Sequence, residues 1–472
     1  MFIGRQQHLG ELSGLLQRAA SREDDKPGQA ILIRGRRRVG KSRLVEEFIS
    51  RSGVPYLFFT AEGRSLQADL ELFAQEVAAS NLPGAADFAD TVPINWSSAL
   101  RSLDLALPES GPCIVAFDEL PYLIANDEGF EGALQAVFDR HLSRRRVLFI
   151  GIGSDLAMME QLNSYNRPFH QRATEMIVPP LSPTEVAHML DLAPADAFDA
   201  YLVTGGLPLI LDEWPRSADM WAYLKGALAH PTSALLVSAE RALAAEFPVE
   251  AQAREVLGAI GGKGGRTFTG ISQKCGITGT AVTRATDILT SKRLVAADQA
   301  LSTRKATDKR YRVEDPYLRF WLTFLAPNMQ RIERGSVDPV LARIKRSWES
   351  WRGRAVEPVV HEALERLALT YGDEDIPGVV GSYWTRSNSP EIDIVVADKA
   401  PIAEQIHAVG SIKWREDGPF NDADLGELLH QRGHLPGASA TTPLVVVSRQ
   451  GCVASAPGLR TLDASDLLRA WE

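Results

Sequence analysis

Through the first third of the chain, apolar residues come in short unbroken runs, and between the runs they recur at every third or fourth position. Ala30-Ile31-Leu32-Ile33, Tyr56-Leu57-Phe58-Phe59, Cys113-Ile114-Val115-Ala116-Phe117 and Val147-Leu148-Phe149-Ile150-Gly151-Ile152 have the length and composition of strands buried on both faces. Residues 66–79 and 130–142 carry the helical period. This alternation predicts βαβ units around a parallel sheet. From about residue 182 the apolar runs stop and helical spacing takes over, at 183–192, 195–204 and 220–230. Residues 269–282 then read as two helices with a tight turn between them. Ile288-Leu289, Leu294-Val295 and a basic stretch follow, the pattern of a helix–turn–helix with a β-hairpin wing. Within 315–324, helical spacing gathers Tyr317, Phe320, Trp321 and Phe324 on one face, which predicts packing rather than base stacking. A mixed region opens near Ser347, with strands expected at 392–396 and 443–447. The expected organisation is a parallel-sheet α/β core at 1–181, a helical lid at 182–233, a winged helix with its linking helix at 234–325, a linker at 326–346 and a last α/β domain at 347–472. No internal repeat or low-complexity segment interrupts it.

The first candidate chemistry lies between the run at 30–33 and the helical pattern of Leu44, Val45, Phe48 and Ile49. Residues 35–42 read Gly-Arg-Arg-Arg-Val-Gly-Lys-Ser, a complete phosphate-binding loop in a strand–loop–helix context. Backbone N–H groups of Gly35, Arg38, Val39, Gly40 and Arg43 would close around anionic oxygens at a helix N-terminus. Lys41 would reach the β- and γ-phosphates of ATP, and Ser42 would hold Mg²⁺. The strand at 113–117 ends in Asp118-Glu119: Asp118 would complete the metal shell, and Glu119 would orient or deprotonate the attacking water. The strand at 147–152 runs into Gly153-Ser154, which makes Ser154 a candidate sensor of the γ-phosphate or the water. Arg167 and Arg172, flanking Pro168-Phe169-His170, are candidates for an arginine finger. Gly205-Gly206-Leu207-Pro208 is a turn that lets backbone approach a neighbour closely.

Composition narrows the partners. The chain has 472 residues, 45% of them hydrophobic and 24% charged, as in a water-soluble protein of several domains. No apolar stretch approaches the roughly 18 residues of a membrane span, and the N-terminus lacks the basic-then-apolar pattern of a secretory signal. Cys113, Cys275 and Cys452 are odd in number and far apart, fitting neither a disulfide framework nor a zinc site, so a reducing cytoplasm is expected. A net charge of −9 argues against a surface coated with nucleic acid. Arg304, Lys305, Lys309 and Arg310 on the expected wing leave double-stranded DNA open as a local partner, with a solvated hairpin or a packing module as the alternative.

Phe2-Ile3-Gly4-Arg5, the loop at 35–42, Phe117-Asp118-Glu119, Ile152-Gly153-Ser154 and Gly206-Leu207-Pro208 stand in the order found in the archaeal/prokaryotic ATPase family, a group of AAA-related, STAND-like P-loop NTPases. The resemblance covers about residues 1–230. It implies that Gly4-Arg5 packs near the adenine, that Pro208 caps the nucleotide from the lid, and that an arginine within 167–172 takes part. Residues 347–450 resemble the PD-(D/E)xK nuclease-like domain that follows the winged helix in a subset of this family, with Glu357 on a helix, Asp393 on a strand and Lys413 on the next. In an active member, Asp393 and an acid two residues before the lysine would bind Mg²⁺ while the lysine assists the water. Here that position is Ser411, a poor ligand for a cation that relies on anionic oxygen. Glu391 and Glu404 are nearby acids, but nothing in the sequence demands that either substitute. The expected activity is ATP hydrolysis driving conformational change in a DNA-associated regulatory or defence-type ATPase, with weak or absent cleavage. The alternatives are a STAND-type signalling switch acting on protein partners and an active ATP-dependent nuclease.

Overall fold

The buried runs form strands β1 (Gln29–Arg34), β2 (Tyr56–Thr60), β3 (Cys113–Asp118) and β4 (Val147–Gly153). A fifth strand, β5 (Thr174–Ile177), completes a parallel sheet of order β2-β3-β4-β1-β5. The coordinates are a computed structural model, which describes every residue except 1, 22–26, 155, 163, 166, 247–251, 307, 368–369, 372–373, 376–377 and 388. The chain divides into two compact units, Met1–Pro180 and Leu181–Glu472.

In the first unit, β4 lies between β1 and β3, pairing Arg34 with Gly153 and Phe117 with Gly151. The loops that leave these three strands therefore share one edge of the sheet. Helices α1 (Gln6–Ala20), α2 (Lys41–Ser52), α3 (Leu66–Ala79), α4 (Trp96–Ala106), α5 (Leu120–Asn126), α6 (Phe130–Arg140) and α7 (Leu156–Leu162) connect and cover the strands. One sheet face is covered by Phe73 of α3, Trp96 of α4 and Phe130 of α6, which join Phe59, Phe117 and Phe149 in a single buried cluster. Phe117 sits 5.3 Å from Phe59 and 5.5 Å from Phe149 between ring centroids. Such pairs contribute about 0.5–1.5 kcal/mol each beyond area burial. They also hold still the strand end that carries Asp118.

The second unit starts with helices α8 (Pro183–Leu190), α9 (Pro194–Thr204), α10 (Pro208–Leu211), α11 (Met220–Ala229) and α12 (Ala234–Glu246). Then come α13 (Gln252–Ile260), a short strand β6 (Arg266–Thr267), α14 (Phe268–Cys275), α15 (Gly279–Ser291) and the hairpin β7 (Val295–Gln299) and β8 (Lys309–Val313), whose strands pair in the order β6-β8-β7. Thr267 and Thr278 cap α14 and α15 through their hydroxyls, and Gly276 ends α14 at φ +66°. Helix α16 (Pro316–Phe320) and the π-turn after it bury Tyr317, Phe320, Trp321 and Phe324, the packing expected of that aromatic face.

The expected linker at 326–346 is helical instead. It contains α17 (Met329–Glu333) and the start of α18 (Val337–Arg366). Val340, Leu341, Ile344, Trp348 and Trp351 form a buried stripe at helical spacing, which the many exposed charges between them hide from a composition-based reading. After α18, two short strands, β9 (Thr370–Tyr371) and β10 (Glu374–Asp375), pair with each other. A five-stranded sheet follows in the order β11 (Val379–Trp384), β12 (Glu391–Ala397), β13 (Ile406–Lys413), β14 (Leu444–Ser448) and β15 (Leu459–Leu462). Its first three strands are antiparallel and its last three parallel, with α19 (Asp422–His434) crossing from β13 to β14 and α20 (Ala464–Leu468) closing the chain. Among the described residues no helix is long and apolar enough to cross a membrane.

Candidate functional site

Gly35 follows β1 directly and leaves no room for a side chain, because a Cβ there would lie 2.4 Å from the Val178 carbonyl. Arg38 at φ +69° and Gly40 at φ +89° curl the loop back on itself. Lys41 then opens α2 with its side chain buried inside the loop, where Nζ donates to the carbonyls of Gly35 at 2.8 Å and Arg36 at 2.9 Å. Burial pushes its ammonium down to about 8, against the pull of Glu119 and Asp118. A lysine held this way faces the space that the loop's N–H groups enclose. Arg43 is exposed beside Glu46, so its part in the loop is its backbone.

Ser42 Oγ donates to Asp118 Oδ2 at 2.6 Å, and the Glu119 N–H donates to Asp118 Oδ1 at 2.9 Å. Burial raises the Asp118 carboxyl, opposed by these bonds. Glu119 heads α5 at φ +52°, and Ser154 Oγ donates to its Oε2 at 2.9 Å and Oε1 at 3.2 Å. A Cβ on Gly153 beside it would crowd Met159 Sδ at 2.4 Å and the Pro121 ring at 2.9 Å. Serine hydroxyl, aspartate carboxylate and a cradle of N–H groups form a hard-oxygen and phosphate-binding set that fits Mg²⁺ and a nucleoside triphosphate.

Arg5, buried and at φ +64°, backs the same loop: its Nη2 donates to the Val39 carbonyl at 3.1 Å and to that of Pro179. Of the seven non-glycine residues with positive φ among those described, Arg5, Arg38 and Glu119 stand here. Strained backbone gathers at functional sites.

Four other arginines have partners that the sequence did not indicate. Arg34, at the end of β1, pairs with Glu160 and with Glu175 at 3.3 Å. Arg37 Nη2 donates to the Tyr122 hydroxyl at 2.6 Å. Tyr122 lies three residues after Glu119, close enough in sequence to raise suspicion, but only the fold brings it to the loop. Of the finger candidates, Arg167 pairs with the buried Glu131 at 2.6 Å, and Arg172 grips Asp139 with two bonds at 2.7 and 2.8 Å and donates to two carbonyls. Among the described residues, neither bonds to Lys41, Asp118, Glu119 or Ser154.

In the second unit, Gly205 and Gly206 adopt φ +61° and +67°, and a Cβ on Gly206 would come within 2.0 Å of the Leu181 carbonyl. Pro208 opens α10 just beyond and is half-buried. Further on, Asp393 of β12 accepts from Ser411 Oγ at 3.0 Å and from the Ile412 N–H at 2.9 Å, both on β13. Glu357 of α18 stands close by, its carboxyl pushed up to about 8 by burial and by Asp393, with Arg319 opposing. Burial raises the Asp393 carboxyl, opposed by the bonds from Ile412 and Ser411 and by Lys413, whose own ion-pair partners are Asp424 at 3.8 Å and Glu427 at 3.9 Å on α19. Of the other nearby acids, Glu391 is held by Arg310 at 2.7 Å and Glu404 by Lys399. Glu357, Asp393 and Ser411 are thus brought together, and the lysine is drawn towards the next helix.

Residues 2–213 match a family described as "ATPase domain predominantly from Archaea", and residues 321–425 match one described as "Archaea bacterial proteins of unknown function". An uncharacterised protein of Methanocaldococcus jannaschii is 24% identical over 454 residues, spanning 93% of each chain. Among solved structures, a Walker-type ATPase of Pyrococcus abyssi is similar with a TM-score of 0.50 and 19% identity, over 68% of this chain and 96% of that one. The ORC1 protein of Aeropyrum pernix, solved in complex with DNA, gives a TM-score of 0.36 and 16% identity over 73% and 95% of the two chains. The chain therefore carries an archaeal-type ATPase domain, followed by a C-terminal domain of the second family.

Proposed function

We propose that the first unit hydrolyses ATP and that the second turns the resulting change into work on DNA. The observation that carries the hydrolytic part is the unbroken line from Ser42 through Asp118 and Glu119 to Ser154, which joins three strand ends at one sheet edge. Lys41 and the loop N–H groups bind the β- and γ-phosphates; Ser42 and Asp118 hold Mg²⁺, which shields phosphate charge when bound. Glu119 orients the attacking water and accepts its proton, and Ser154 fixes the direction of that carboxylate. Arg5 supports the loop from behind. A passive binder needs no carboxylate aimed by a buried serine. The test is steady-state ATP turnover by the full chain: Lys41→Ala is expected to abolish it, and a wild-type chain without turnover overturns the reading.

The DNA-directed part rests on residues 252–315, which we read as a winged helix. That segment holds twelve Lys and Arg against six Asp and Glu in a chain of net charge −9. Thr280, Thr283, Arg284, Asp287 and Ile288 line a shallow groove on α15. A polar helix face on a basic module suits a major groove. Turnover stimulated by duplex DNA supports this; turnover indifferent to DNA, with nucleotide-dependent assembly, favours a STAND-type switch on protein partners.

The succession of α18, the sheet strands β11 to β13, α19 and β14, with the short pair β9 and β10 inserted after α18, supports a PD-(D/E)xK-like domain in which Ser411 replaces the second acid. With Asp393 satisfied by Ser411 and Ile412, we infer a domain that keeps the fold and has lost cleavage. Nicking of supercoiled plasmid with ATP and Mg²⁺ or Mn²⁺ that vanishes in Asp393→Ala refutes this.

A further inference from the structure

The charge that builds up on a phosphoryl group in transfer calls for a cation beyond Lys41, and the two arginines read from the sequence for that task are already engaged. Arg167 neutralises the buried Glu131, and Arg172 is gripped by Asp139 and two backbone carbonyls. Arg37 differs in three ways. It belongs to the phosphate loop itself, two residues after Gly35. Its side chain is exposed, and its partner is the neutral hydroxyl of Tyr122 at 2.6 Å, with no acid bound to it among the described residues. Its position is also fixed relative to the water-activating side of the site. Tyr122 lies in the first turn of α5, its N–H donating to the Glu119 carbonyl at 2.9 Å, and its ring would lie 3.5 Å from a Cβ placed on Gly63. Arg37 therefore stands between the loop and the helix that Glu119 heads, and its charge is felt by Lys41.

We propose that Arg37 is a catalytic residue: its guanidinium exchanges the Tyr122 hydroxyl for the γ-phosphate oxygens when ATP binds. This assignment rests on the ATPase reading above. A planar fork of N–H donors matches phosphate oxygens in two parallel bonds, and an exposed bond to a neutral hydroxyl is readily exchanged for it. In the step itself, a water oxygen bonds to the γ-phosphorus and its proton passes to Glu119. The bond from that phosphorus to the β–γ bridging oxygen breaks, its electron pair staying on ADP, and the products are ADP and inorganic phosphate. Arg37 spreads the charge on the three equatorial oxygens through this passage, so it acts mainly on the transition state and contributes little to holding ADP.

The test compares the full-length wild type with Arg37→Ala, Arg37→Lys and Tyr122→Phe, measuring kcat together with the Kd for ADP and for ADP with aluminium fluoride. Arg37→Ala is expected to lower kcat about 100-fold or more while leaving the Kd for ADP within about threefold, with preference for the fluoride complex lost. Arg37→Lys keeps the charge without the fork and should recover only part of the rate. Tyr122→Phe, which removes only the resting partner, should keep kcat within about twofold. Turnover by Arg37→Ala within about threefold of wild type overturns the assignment, as does equal weakening of ADP and fluoride-complex binding. A wild-type chain that binds no ADP sinks the nucleotide site itself, and this assignment with it.

Discussion

Ser154 gives both oxygens of Glu119 a hydrogen bond from a neighbouring strand end, and it is nearly sealed from solvent. On the proposed mechanism, this bond sets the direction in which the Glu119 carboxylate takes the water's proton. Ser154→Ala should therefore lower kcat by roughly 10–100-fold while the ATP KM stays within about threefold, because the loss falls on orientation in the transition state. An unchanged kcat would make the serine a mere helix-side cap. The residues of this line were legible because each follows directly from the end of a buried strand: once 113–117 and 147–152 are read as strands, Asp118, Glu119 and Ser154 fall at the sheet edge. Arg37 with Tyr122 and Arg5 with Pro179 were not legible. A lone arginine leaves no periodic trace, and its partner is chosen by the order of strands.

Strands buried on both faces and helices with a clean stripe declared themselves, as did β2 at one edge of the first sheet, whose run at 56–59 is unbroken although only partly buried; the edge strands β5 and β11 did not. β5 buries Met176 alone among its four residues, and β11 is half-buried along its whole length, so neither shows a continuous run nor a strict alternation. The helix α18 was missed at its start because Arg343, Lys345 and Arg346 interrupt its apolar stripe. That helix also carries a feature no pattern announces. Arg352, with no exposed surface, pairs with Asp199 of α9 at 3.0 Å and with Glu416 at 2.8 Å, and Arg449 pairs with the same Asp199 at 3.2 Å. Removing Arg352 leaves the buried Asp199 with Arg449 alone, so Arg352→Met should destabilise this unit by about 3 kcal/mol. Burial lifts the Asp199 carboxyl to about 6 from 3.8, with Arg352 and Arg449 holding it down. The folded chain thus keeps a proton that the unfolded chain has released between these values, and this group's contribution falls as pH rises through that window. Without Arg352 the folded value climbs further, so the variant's deficit in denaturant unfolding should be larger at pH 8 than at pH 5. A deficit equal at the two values would show that the arginine acts through packing alone.

Charge is distributed unevenly across the molecule: the segment 252–315 is basic while the chain as a whole is acidic. Duplex DNA should accordingly meet attraction only at that segment and repulsion elsewhere, which gives modest affinity with a shallow salt dependence. Within the segment, Arg284 is exposed on α15, whereas Arg310 of β8 is already bonded to Glu391 and stacked 4.3 Å over the Trp384 ring. On the DNA-directed reading, the helix rather than that part of the hairpin is expected to supply the phosphate contact. Arg284→Glu should weaken duplex binding across sequences and flatten the slope of log affinity against log salt by about one unit, while Arg310→Ala leaves both nearly unchanged. Fluorescence anisotropy with a labelled duplex at several salt concentrations decides it. If Arg310→Ala has the larger effect, the wing leaves Glu391 to reach DNA, and the helix is the packing face instead. If neither variant alters binding and ATP turnover ignores DNA, the winged helix joins motor to effector, and the target of the conformational change is a protein.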